Sequence, residues 1–298
     1  MRGSFRGSLR GSIVALPTPF RDGRVDFASL RTLVELQIQG GSDGLVAAGS
    51  TGEAVALTAS ERLSVIEFVA GHSKGRVPVL AGVGMSETRL ACEMARAAEH
   101  AGANGLLAST PAYNKPQQRG LLAHFGAIAQ ASRLPLVLYN IPSRTGVDLL
   151  PPTVSAIAKA HANVIAIKEA GTSLERVKEL VAADAVDVLL GEDSWIADGL
   201  QLGAVGVIGV VANVAPRTVA ELVHGLLAGE TSQAPALVER LAPLMTALFL
   251  EPNPAPLKAA LEWMGLSTGE LRLPLAPIED ATRAKLRAAL LAAGVAGR

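Results

Sequence analysis

Residues 78–110 of the chain read PVLAGVGMSETRLACEMARAAEHAGANGLLAST. A short aliphatic run, Pro78–Val83, comes first. A longer amphipathic segment, Glu87–Gly102, follows it, and a second aliphatic run, Gly105–Thr110, ends the stretch. The middle segment carries apolar residues at i, i+3 and i+4 spacing and stops at a glycine, which predicts a helix. Parallel strands need such a crossover helix, so the stretch predicts a β-α-β unit.

The same alternation recurs along most of the chain. Aliphatic runs without polar alternation return at intervals of about 20–34 residues, the size of one strand plus one helix. Eight such units in about 215 residues predict a (β/α)8 barrel, a TIM barrel of the α/β class, rather than an open doubly wound sheet. The eight predicted strands are Ser12–Leu16, Gly44–Gly49, Pro78–Val83, Gly105–Thr110, Pro135–Asn140, Val164–Glu169, Val186–Glu192 and Gly206–Val211. The other helices predicted between them are Ala28–Gly40, Ser60–Gly71, Gln118–Arg133 and Leu174–Ala183.

The strand signals stop after about residue 225. From there on, Gln233–Leu250, Pro256–Met264 and Glu279–Ala293 have the periodicity of helices. We therefore predict a catalytic barrel at residues 11–225 and a C-terminal helical domain at residues 226–298.

Composition excludes several classes of protein. The chain has 298 residues with 27 basic and 27 acidic side chains, and this net charge of zero argues against a general nucleic-acid binder. Its one cysteine, Cys92, excludes a disulfide framework and fits a reducing compartment such as the cytoplasm. The apolar stretches are too short for a membrane span. Residues 1–10 repeat Arg-Gly-Ser without the hydrophobic region of a signal peptide and are predicted to be a flexible tail.

Motifs for metals and nucleotides are missing from the sequence. The histidines have no H-E-x-x-H or similar ligand spacing, and there is no Walker loop and no G-x-S-x-G nucleophile motif. The nearest match to the dinucleotide motif G-x-G-x-x-G, at residues 82–87, lacks the third glycine and follows the third strand instead of the first. We therefore predict no metal ion.

In a (β/α)8 barrel the active site lies where the strands end and the βα loops begin. Lys168 closes the sixth aliphatic run, whereas the other six lysines, Lys258 among them, are predicted to lie on helix surfaces, in loops or at helix ends. Burial at an apolar barrel mouth lowers the pKa of an ammonium group, and the neutral amine is the nucleophile that Schiff-base chemistry needs. The structural alternative is a lysine that pairs with Glu169 or Glu192.

Both tyrosines of the chain, Tyr113 and Tyr139, also fall at predicted strand ends. Linked through the hydroxyl of Ser50 or Thr51, they could relay protons beside the lysine; alternatively, each is a buried ring with a satisfied hydroxyl. Arg144 lies in a turn bounded by a proline and a glycine. Its guanidinium could bind a substrate carboxylate or could simply be solvated.

Several motifs resemble those of a known family. Over residues 11–294, nearly the whole chain, the sequence is similar to the 4-hydroxy-tetrahydrodipicolinate synthase (dihydrodipicolinate synthase) family, in the superfamily of pyruvate-dependent class I aldolases and N-acetylneuraminate lyases. The Lys-Glu strand marks the superfamily, and Ser-Arg-Thr-Gly after Tyr-Asn is more specific to the synthase branch. The matching motifs are Gly11-Ser12-Ile13-Val14-Ala15, Gly-x-Thr-Gly-Glu at 49–53, Thr110-Pro111-x-Tyr113-Asn114, Tyr139-Asn140-Ile141-Pro142-Ser143-Arg144-Thr145-Gly146, Ile167-Lys168-Glu169-Ala170, Glu251-Pro252-Asn253-Pro254 and Leu271-Arg272-Leu273-Pro274.

The resemblance implies a lyase of lysine and diaminopimelate biosynthesis that condenses pyruvate with L-aspartate 4-semialdehyde to give 4-hydroxy-tetrahydrodipicolinate. It implies that Lys168 forms the Schiff base with pyruvate and that Tyr139 assists imine formation and proton transfer. Ser50 would link Tyr139 to Tyr113, which in this family reaches in from a neighbouring subunit. Ser50 replaces the family's usual threonine and keeps the hydroxyl without the β-methyl that restricts χ1. The covalent pyruvate imine on Lys168 acts as the electron sink, so the resemblance implies no cofactor.

The same resemblance assigns the substrate contacts. Thr51 would bind the pyruvate carboxylate through its hydroxyl and its backbone N–H, and the backbone at Ile208 would face the pyruvate. Arg144 would bind the carboxylate of the semialdehyde. The usual assembly of the family implies a homotetramer that acts on small molecules, with no nucleic-acid or membrane partner.

Two alternative functions stay open at the level of the sequence. A sister pyruvate-dependent aldolase would act on a sugar acid or on N-acetylneuraminate, but such an enzyme has little use for a guanidinium at Arg144. A non-catalytic barrel paralogue with a binding or regulatory role would have no need to retain Lys168, Tyr139, Tyr113 and Arg144 together.

Departures from the family pattern predict weak or absent feedback inhibition by L-lysine. Ala112 replaces an aromatic residue that helps to line the lysine pocket of regulated members. A titration of the turnover rate with L-lysine is therefore expected to show little inhibition, and strong inhibition at sub-millimolar L-lysine would contradict the prediction. The further positions at which polar or histidine ligands are often found in regulated members are Ala59, Arg62, Ser86 and Leu90.

Overall fold

The computed structural model describes residue 7 and residues 9–171 and 173–297. Its centre is a closed barrel of eight parallel strands, which confirms the predicted TIM barrel of the α/β class. The strands are β1 (Gly11–Ala15), β2 (Phe20–Arg21), β3 (Arg24–Val25), β4 (Gly44–Ala47), β5 (Val79–Gly82), β6 (Gly105–Ser109), β7 (Leu136–Asn140), β8 (Val164–Glu169), β9 (Asp187–Leu190) and β10 (Gly206–Gly209). All except β2 and β3 belong to the barrel, and those two form a separate antiparallel hairpin that was not predicted. The barrel closes because β1 pairs with both β10 and β4.

The helices surround the barrel and extend it at the C-terminal side. Four of the helices, Pro142–Thr145, Pro151–Ala160, Ile196–Gln201 and Pro216–Leu227, lie outside the predicted helices. The first and third of these have only 4 and 6 residues, which is too short for a helical periodicity to be recognised. The helices are α1 (Phe27–Gln39), α2 (Ala59–Ser73), α3 (Thr88–His100), α4 (Gln118–Ala131), α5 (Pro142–Thr145), α6 (Pro151–Ala160), α7 (Leu174–Ala183), α8 (Ile196–Gln201), α9 (Pro216–Leu227), α10 (Ala234–Ala247), α11 (Ala255–Trp263) and α12 (Asp280–Ala292).

Side chains of the barrel strands alternate between the interior and the surrounding helices. Interior residues such as Ile13, Val46 and Leu107 form one buried cluster. The alternate residues, for example Val14 and Leu45, pack with helix side chains in a second and larger cluster. Both faces of the strands are therefore apolar, which explains why the strand sequences show no polar alternation.

One pair of barrel strands has an irregular register. After Val164 the pairing of β7 with β8 shifts, because the next residue of β7, Val137, pairs with Ala166 and leaves Ile165 as an extra residue. Such a β-bulge changes the face to which the following side chains point. Ile165 and Ala166 both belong to the interior cluster, and beyond them Lys168 points into the barrel mouth.

The loop between β4 and α2, which carries Ser50 and Thr51, is held at its far end by a strong helix start. Thr58 is the N-cap of α2: its Oγ1 accepts the N–H of Glu61 at 3.2 Å, and the Glu61 carboxylate accepts the N–H of Thr58 at 2.9 Å. A cap of this kind stabilises a helix by about 1 kcal/mol. The capped start of α2 therefore fixes the C-terminal end of the loop that carries Ser50 and Thr51.

The C-terminal helices pack on one another and on the barrel. α10 contacts α9 and α12, and α11 contacts α12. The proposed division into a barrel at 11–225 and a helical domain at 226–298 stays a prediction, and α9 ends at Leu227, slightly past that boundary. None of the described helices is long and apolar enough to cross a membrane.

The predicted flexible tail, residues 1–10, is described only in part. Residues 1–6 and 8 lie outside the described residues. Within the tail, Leu9 is buried in the interior cluster of the barrel, whereas Arg10 is exposed. At least one residue of the predicted tail therefore packs against the barrel.

Candidate active site

A cavity of about 420 Å³ opens at the C-terminal end of the barrel. Interior side chains of the barrel, including Ala15, Val46 and Leu107, line its apolar part, and polar residues from the strand ends line the rest. Residues 249–253, between α10 and α11, also line the cavity. The C-terminal segment thus contributes to a site for which the sequence predicted no residue from that part of the chain.

Lys168 lies at the end of β8 and is 6% exposed. Burial lowers the pKa of its ammonium group to about 8; the charges of Asp193 and Glu192 oppose this shift, and Arg144 adds to it. At pH 7 about one molecule in ten then carries a neutral amine, against fewer than about one in a thousand for an unperturbed lysine. No ion pair joins Lys168 to a carboxylate of the described residues, so the alternative of a paired structural lysine is not what the structure shows.

Tyr139 is the neighbour of Lys168 in the barrel wall. The two residues are paired in the register of β7 and β8, and Lys168 Nζ lies 4.4 Å from the centroid of the Tyr139 ring. Burial raises the pKa of the Tyr139 phenol, against the opposing effect of a hydrogen bond with Ser50. The phenol is therefore protonated at neutral pH and can donate a proton. The structure thus brings together three predicted residues, Lys168, Tyr139 and Ser50.

Thr51 and Arg144 are both hydrogen-bonded to the same residue of the C-terminal segment, Asn253. Asn253 Nδ2 donates a hydrogen bond to Thr51 Oγ1 at 3.0 Å, and Arg144 Nη2 donates one to the carbonyl oxygen of Asn253 at 2.9 Å. Thr51 is buried and Arg144 is exposed, and both line the cavity. In the sequence, Asn253 is only a member of the motif at residues 251–254 and has no predicted role in the site. Its linking role could not be found from the sequence, because no local pattern shows where the segment packs.

Two predicted site residues do not line the cavity of the single chain. Tyr113 is 92% exposed and has a positive φ of 75°, which is unusual for a bulky side chain. The predicted hydroxyl chain through Ser50 to Tyr113 is therefore not formed within one chain. Ile208 is fully buried in the interior cluster beneath the cavity, where it pairs with Ile13 of β1.

Two carboxylates lie near Lys168, those of Glu192 and Asp193. The sequence predicts Glu192 only as a possible pairing partner for the lysine and predicts no role for Asp193. Glu192 lines the cavity, and Asp193 is buried and accepts the N–H groups of Val210 at 2.8 Å and Val211 at 3.3 Å. Burial raises the pKa of both carboxyls. When ionised they favour a positive charge at Lys168, which an iminium ion would carry. Their position, at the last residue of a predicted strand and directly after it, was the signal that could have identified them.

A buried ion pair anchors the loop of Ser50 and Thr51 to α11. Glu53, two residues after Thr51 in that loop, pairs with Lys258, and both side chains are almost fully buried. Lys258 Nζ also donates to the carbonyl oxygen of Glu270 at 2.8 Å and lies 4.0 Å from the centroid of the Phe20 ring. The prediction that Lys258 lies on the surface is wrong, because the apolar side of α11 and this pair face the barrel rather than solvent.

The chain is similar to one family over nearly its whole length. Residues 8–293 match the model of the dihydrodipicolinate synthetase family. The 4-hydroxy-tetrahydrodipicolinate synthase of Pelobacter propionicus is 48% identical over 289 residues, which cover 96% of this chain and 99% of the relative. The crystal structure of dihydrodipicolinate synthase from Aquifex aeolicus has a TM-score of 0.95 at 39% identity and covers 97% of this chain and 100% of that chain. The chloride-inhibited dihydrodipicolinate synthase from Acinetobacter baumannii, complexed with pyruvate, has a TM-score of 0.94 at 43% identity and covers 96% and 99%.

Removal of the buried ammonium group in a Lys258→Met variant is expected to destabilise the protein by about 3–5 kcal/mol, because Glu53 is left as an unpaired buried charge. The urea midpoint of unfolding measures the loss. Lys285→Met, which removes an exposed lysine of α12, is the matched control and is expected to change stability by about 0.5 kcal/mol or less. Equal midpoints for the two variants would contradict the inferred role of the ion pair.

Proposed function

The chain belongs to the dihydrodipicolinate synthetase family, and on that premise we propose that it condenses pyruvate with L-aspartate 4-semialdehyde to give 4-hydroxy-tetrahydrodipicolinate. This is a lyase reaction of lysine and diaminopimelate biosynthesis. The observation that carries the proposal is a buried lysine of lowered pKa, Lys168, which faces Tyr139 in the cavity at the C-terminal end of the barrel. Such a lysine is suited to Schiff-base formation with a keto acid.

The first step joins pyruvate to Lys168. The neutral amine attacks C2 of pyruvate, the former carbonyl oxygen takes up protons and leaves as water, and a C=N bond replaces the C=O bond. The Tyr139 phenol is protonated and lies beside Lys168, so it can supply a proton to the departing oxygen. The hydroxyl of Ser50, hydrogen-bonded to Tyr139, can then return a proton to the phenol. Glu192 and Asp193 stabilise the positive charge of the iminium ion.

The two substrate carboxylates are assigned to Thr51 and Arg144. Thr51 Oγ1 accepts a hydrogen bond from Asn253, so its own O–H proton is available to the carboxylate of pyruvate. Arg144 uses one nitrogen for the Asn253 carbonyl oxygen, and its other N–H groups can bind the carboxylate of the semialdehyde. The backbone at Ile208 as a pyruvate contact rests on the resemblance alone, since its side chain lies beneath the cavity.

Carbon–carbon bond formation follows from the imine. Loss of a proton from C3 gives the enamine, which attacks the aldehyde carbon; the aldehyde oxygen takes up a proton and becomes a hydroxyl. The amine of the former semialdehyde then attacks the imine carbon, and Lys168 leaves as a free amine while the ring closes. The imine nitrogen accepts the electron pair when C3 loses its proton, returns it when the enamine attacks the aldehyde, and accepts a pair again when the amine adds to the imine carbon, so the proposed reaction uses no cofactor.

A homotetramer is part of the proposal. Tyr113 and Val55 are 92% and 98% exposed, although both are large apolar side chains next to loops of the site. Contact with a neighbouring subunit would bury them, and Tyr113 would then reach the hydroxyl of Ser50 in the partner. Sedimentation velocity measures the assembly directly, and a monomer would contradict the proposed homotetramer.

A cytoplasmic location is likewise proposed, on the basis of the single cysteine and the biosynthetic reaction.

Incubation with pyruvate followed by borohydride reduction is expected to place a pyruvate-derived adduct on Lys168, identified by peptide mass spectrometry. Arg144→Ala should keep this adduct and lose most turnover with the semialdehyde, because the guanidinium binds only the second substrate. Lys168→Ala is the control and should form no adduct. The absence of an adduct in the unaltered protein would refute both the synthase and the sister aldolase. An Arg144→Ala variant with full turnover would refute the assignment of Arg144.

The rate of adduct formation is expected to rise with pH and to level off above the pKa of Lys168, which is lowered to about 8. The neutral amine reacts, so between pH 7 and pH 9 the initial rate should increase about tenfold and then stay constant. Quenched-flow trapping at saturating pyruvate measures this profile. An unperturbed lysine, with a pKa of about 10.4, would instead give a rate that climbs about tenfold between pH 8 and pH 9 and is still rising at pH 10, and that result would contradict the lowered pKa.

A further inference from the structure

The β-bulge in β8 decides whether Lys168 faces the substrate. In a regular strand, residues two apart share a face, so Lys168 would share the face of Val164, which packs with the helix-facing cluster. The extra residue Ile165 shifts the alternation by one position. Lys168 therefore points into the cavity and Glu169 points to the outside of the barrel wall. Beyond the bulge every pair of β7 and β8 is shifted by one residue, and a side-chain contact between the two strands in this part favours the shifted register over the unshifted one.

A buried hydrogen bond provides that contact on the outer face. Asn140 and Glu169 are paired across β7 and β8, in the position next to the pair of Tyr139 with Lys168. Asn140 Nδ2 donates to the two carboxylate oxygens of Glu169 at 3.0 and 3.2 Å. Both side chains are completely buried. The interaction thus lies directly behind the two reacting residues and joins the same two strands.

The surroundings restrain this pair from several sides. Asn140 Nδ2 also donates to Asp148 at 2.8 Å, and Asn140 Oδ1 accepts the N–H of Leu149 at 2.9 Å. Asp148 in turn forms a salt bridge with Arg176 of α7 at 2.9 Å. All polar groups of the Asn140 side chain are therefore occupied, which leaves it one orientation.

We propose that the Asn140–Glu169 hydrogen bond is a positioning pair, which holds the bulged register of β7 and β8 and so keeps Lys168 Nζ against the Tyr139 ring. Neither residue touches the cavity, so both act through their neighbours in the strands. The inference rests on the proposed function, because it concerns the lysine that forms the imine. A slip of one residue would turn Lys168 toward the helices and remove the amine from the site.

Glu169→Ala tests the pair. The rate constant of pyruvate adduct formation at Lys168 is expected to fall by about a hundredfold, the effect of a misplacement of about 1 Å at a reacting group. Half-saturation by pyruvate should change little, because Thr51 holds the carboxylate from the other side of the cavity. Arg176→Gln is the matched control: it breaks the outer salt bridge and leaves the Asn140–Glu169 hydrogen bond intact, and its adduct rate should stay close to that of the unaltered protein. A Glu169→Ala variant with an unchanged rate would overturn the proposal.

Exchange of the two partners gives a second test that does not depend on how Glu169→Ala folds. Glu169→Gln keeps an acceptor oxygen for Asn140 and should retain most of the adduct rate. Asn140→Asp places a carboxyl group against both Glu169 and Asp148 and should slow adduct formation strongly. Asp148→Asn removes the second of these clashes and serves as the background for the exchange. In that background, adding Glu169→Gln to Asn140→Asp restores an amide–carboxyl pair in the reverse order, and we expect the adduct rate of the triple variant to recover at least tenfold over Asn140→Asp/Asp148→Asn, an interaction of about 1.4 kcal/mol.

The outcomes separate this inference from the proposed function. No adduct in the unaltered protein would refute the proposed function. An adduct on Lys168 that forms at the same rate in all variants would refute only the positioning role. A triple variant Asn140→Asp/Asp148→Asn/Glu169→Gln no faster than Asn140→Asp/Asp148→Asn would also refute it, since a stability loss without a specific pairing predicts no recovery.

Discussion

The burial of one ammonium group, at Lys168, is the constraint on which the rest of the site depends. A charge withdrawn from water costs several kcal/mol unless other groups compensate it. Within the described part of the chain no carboxylate forms an ion pair with this group, and the closed barrel buries it beside aliphatic side chains such as Val46 and Leu107, so the pKa falls to about 8. The reactivity proposed for the amine thus follows from the apolar filling of the barrel. An open sheet would leave the same strand end exposed to water.

The groups around the lysine adjust the charge without neutralising it. The ring of Tyr139 presents its face to the ammonium, which is a weak attraction compared with an ion pair. Glu192 and Asp193 oppose the loss of the proton but do not prevent it. This balance suits a reaction in which the nitrogen begins as a neutral amine and later carries the positive charge of an iminium ion. A direct ion pair would hold the lysine protonated and unreactive.

The C-terminal helices complete the site from outside the barrel. Asn253 binds both Thr51 and Arg144, and Lys258 is buried against Glu53 in the loop that carries Thr51. Local periodicity is sufficient to place the helix of Lys258 within one residue of its observed bounds. It does not show which barrel loop packs on that helix, so a surface position was predicted for the lysine and no role for Asn253. Long-range packing of this kind leaves no mark in a short window of sequence.

The sequence by itself determined the eight strands, the barrel and the presence of Lys168 and Tyr139 at strand ends, because hydrophobic runs and their spacing are local properties. It also placed Tyr113 at a strand end, although in the single chain this side chain lies on the surface. The direction in which Lys168 points was decided only by the tertiary structure. If side chains alternated regularly along β8 from Val164, Lys168 would point to the outer face of the barrel. The bulge at Ile165 reverses this direction, so Lys168 points inward. The physical reason is that the register depends on hydrogen bonds with a neighbouring strand, which are contacts between residues far apart in the chain.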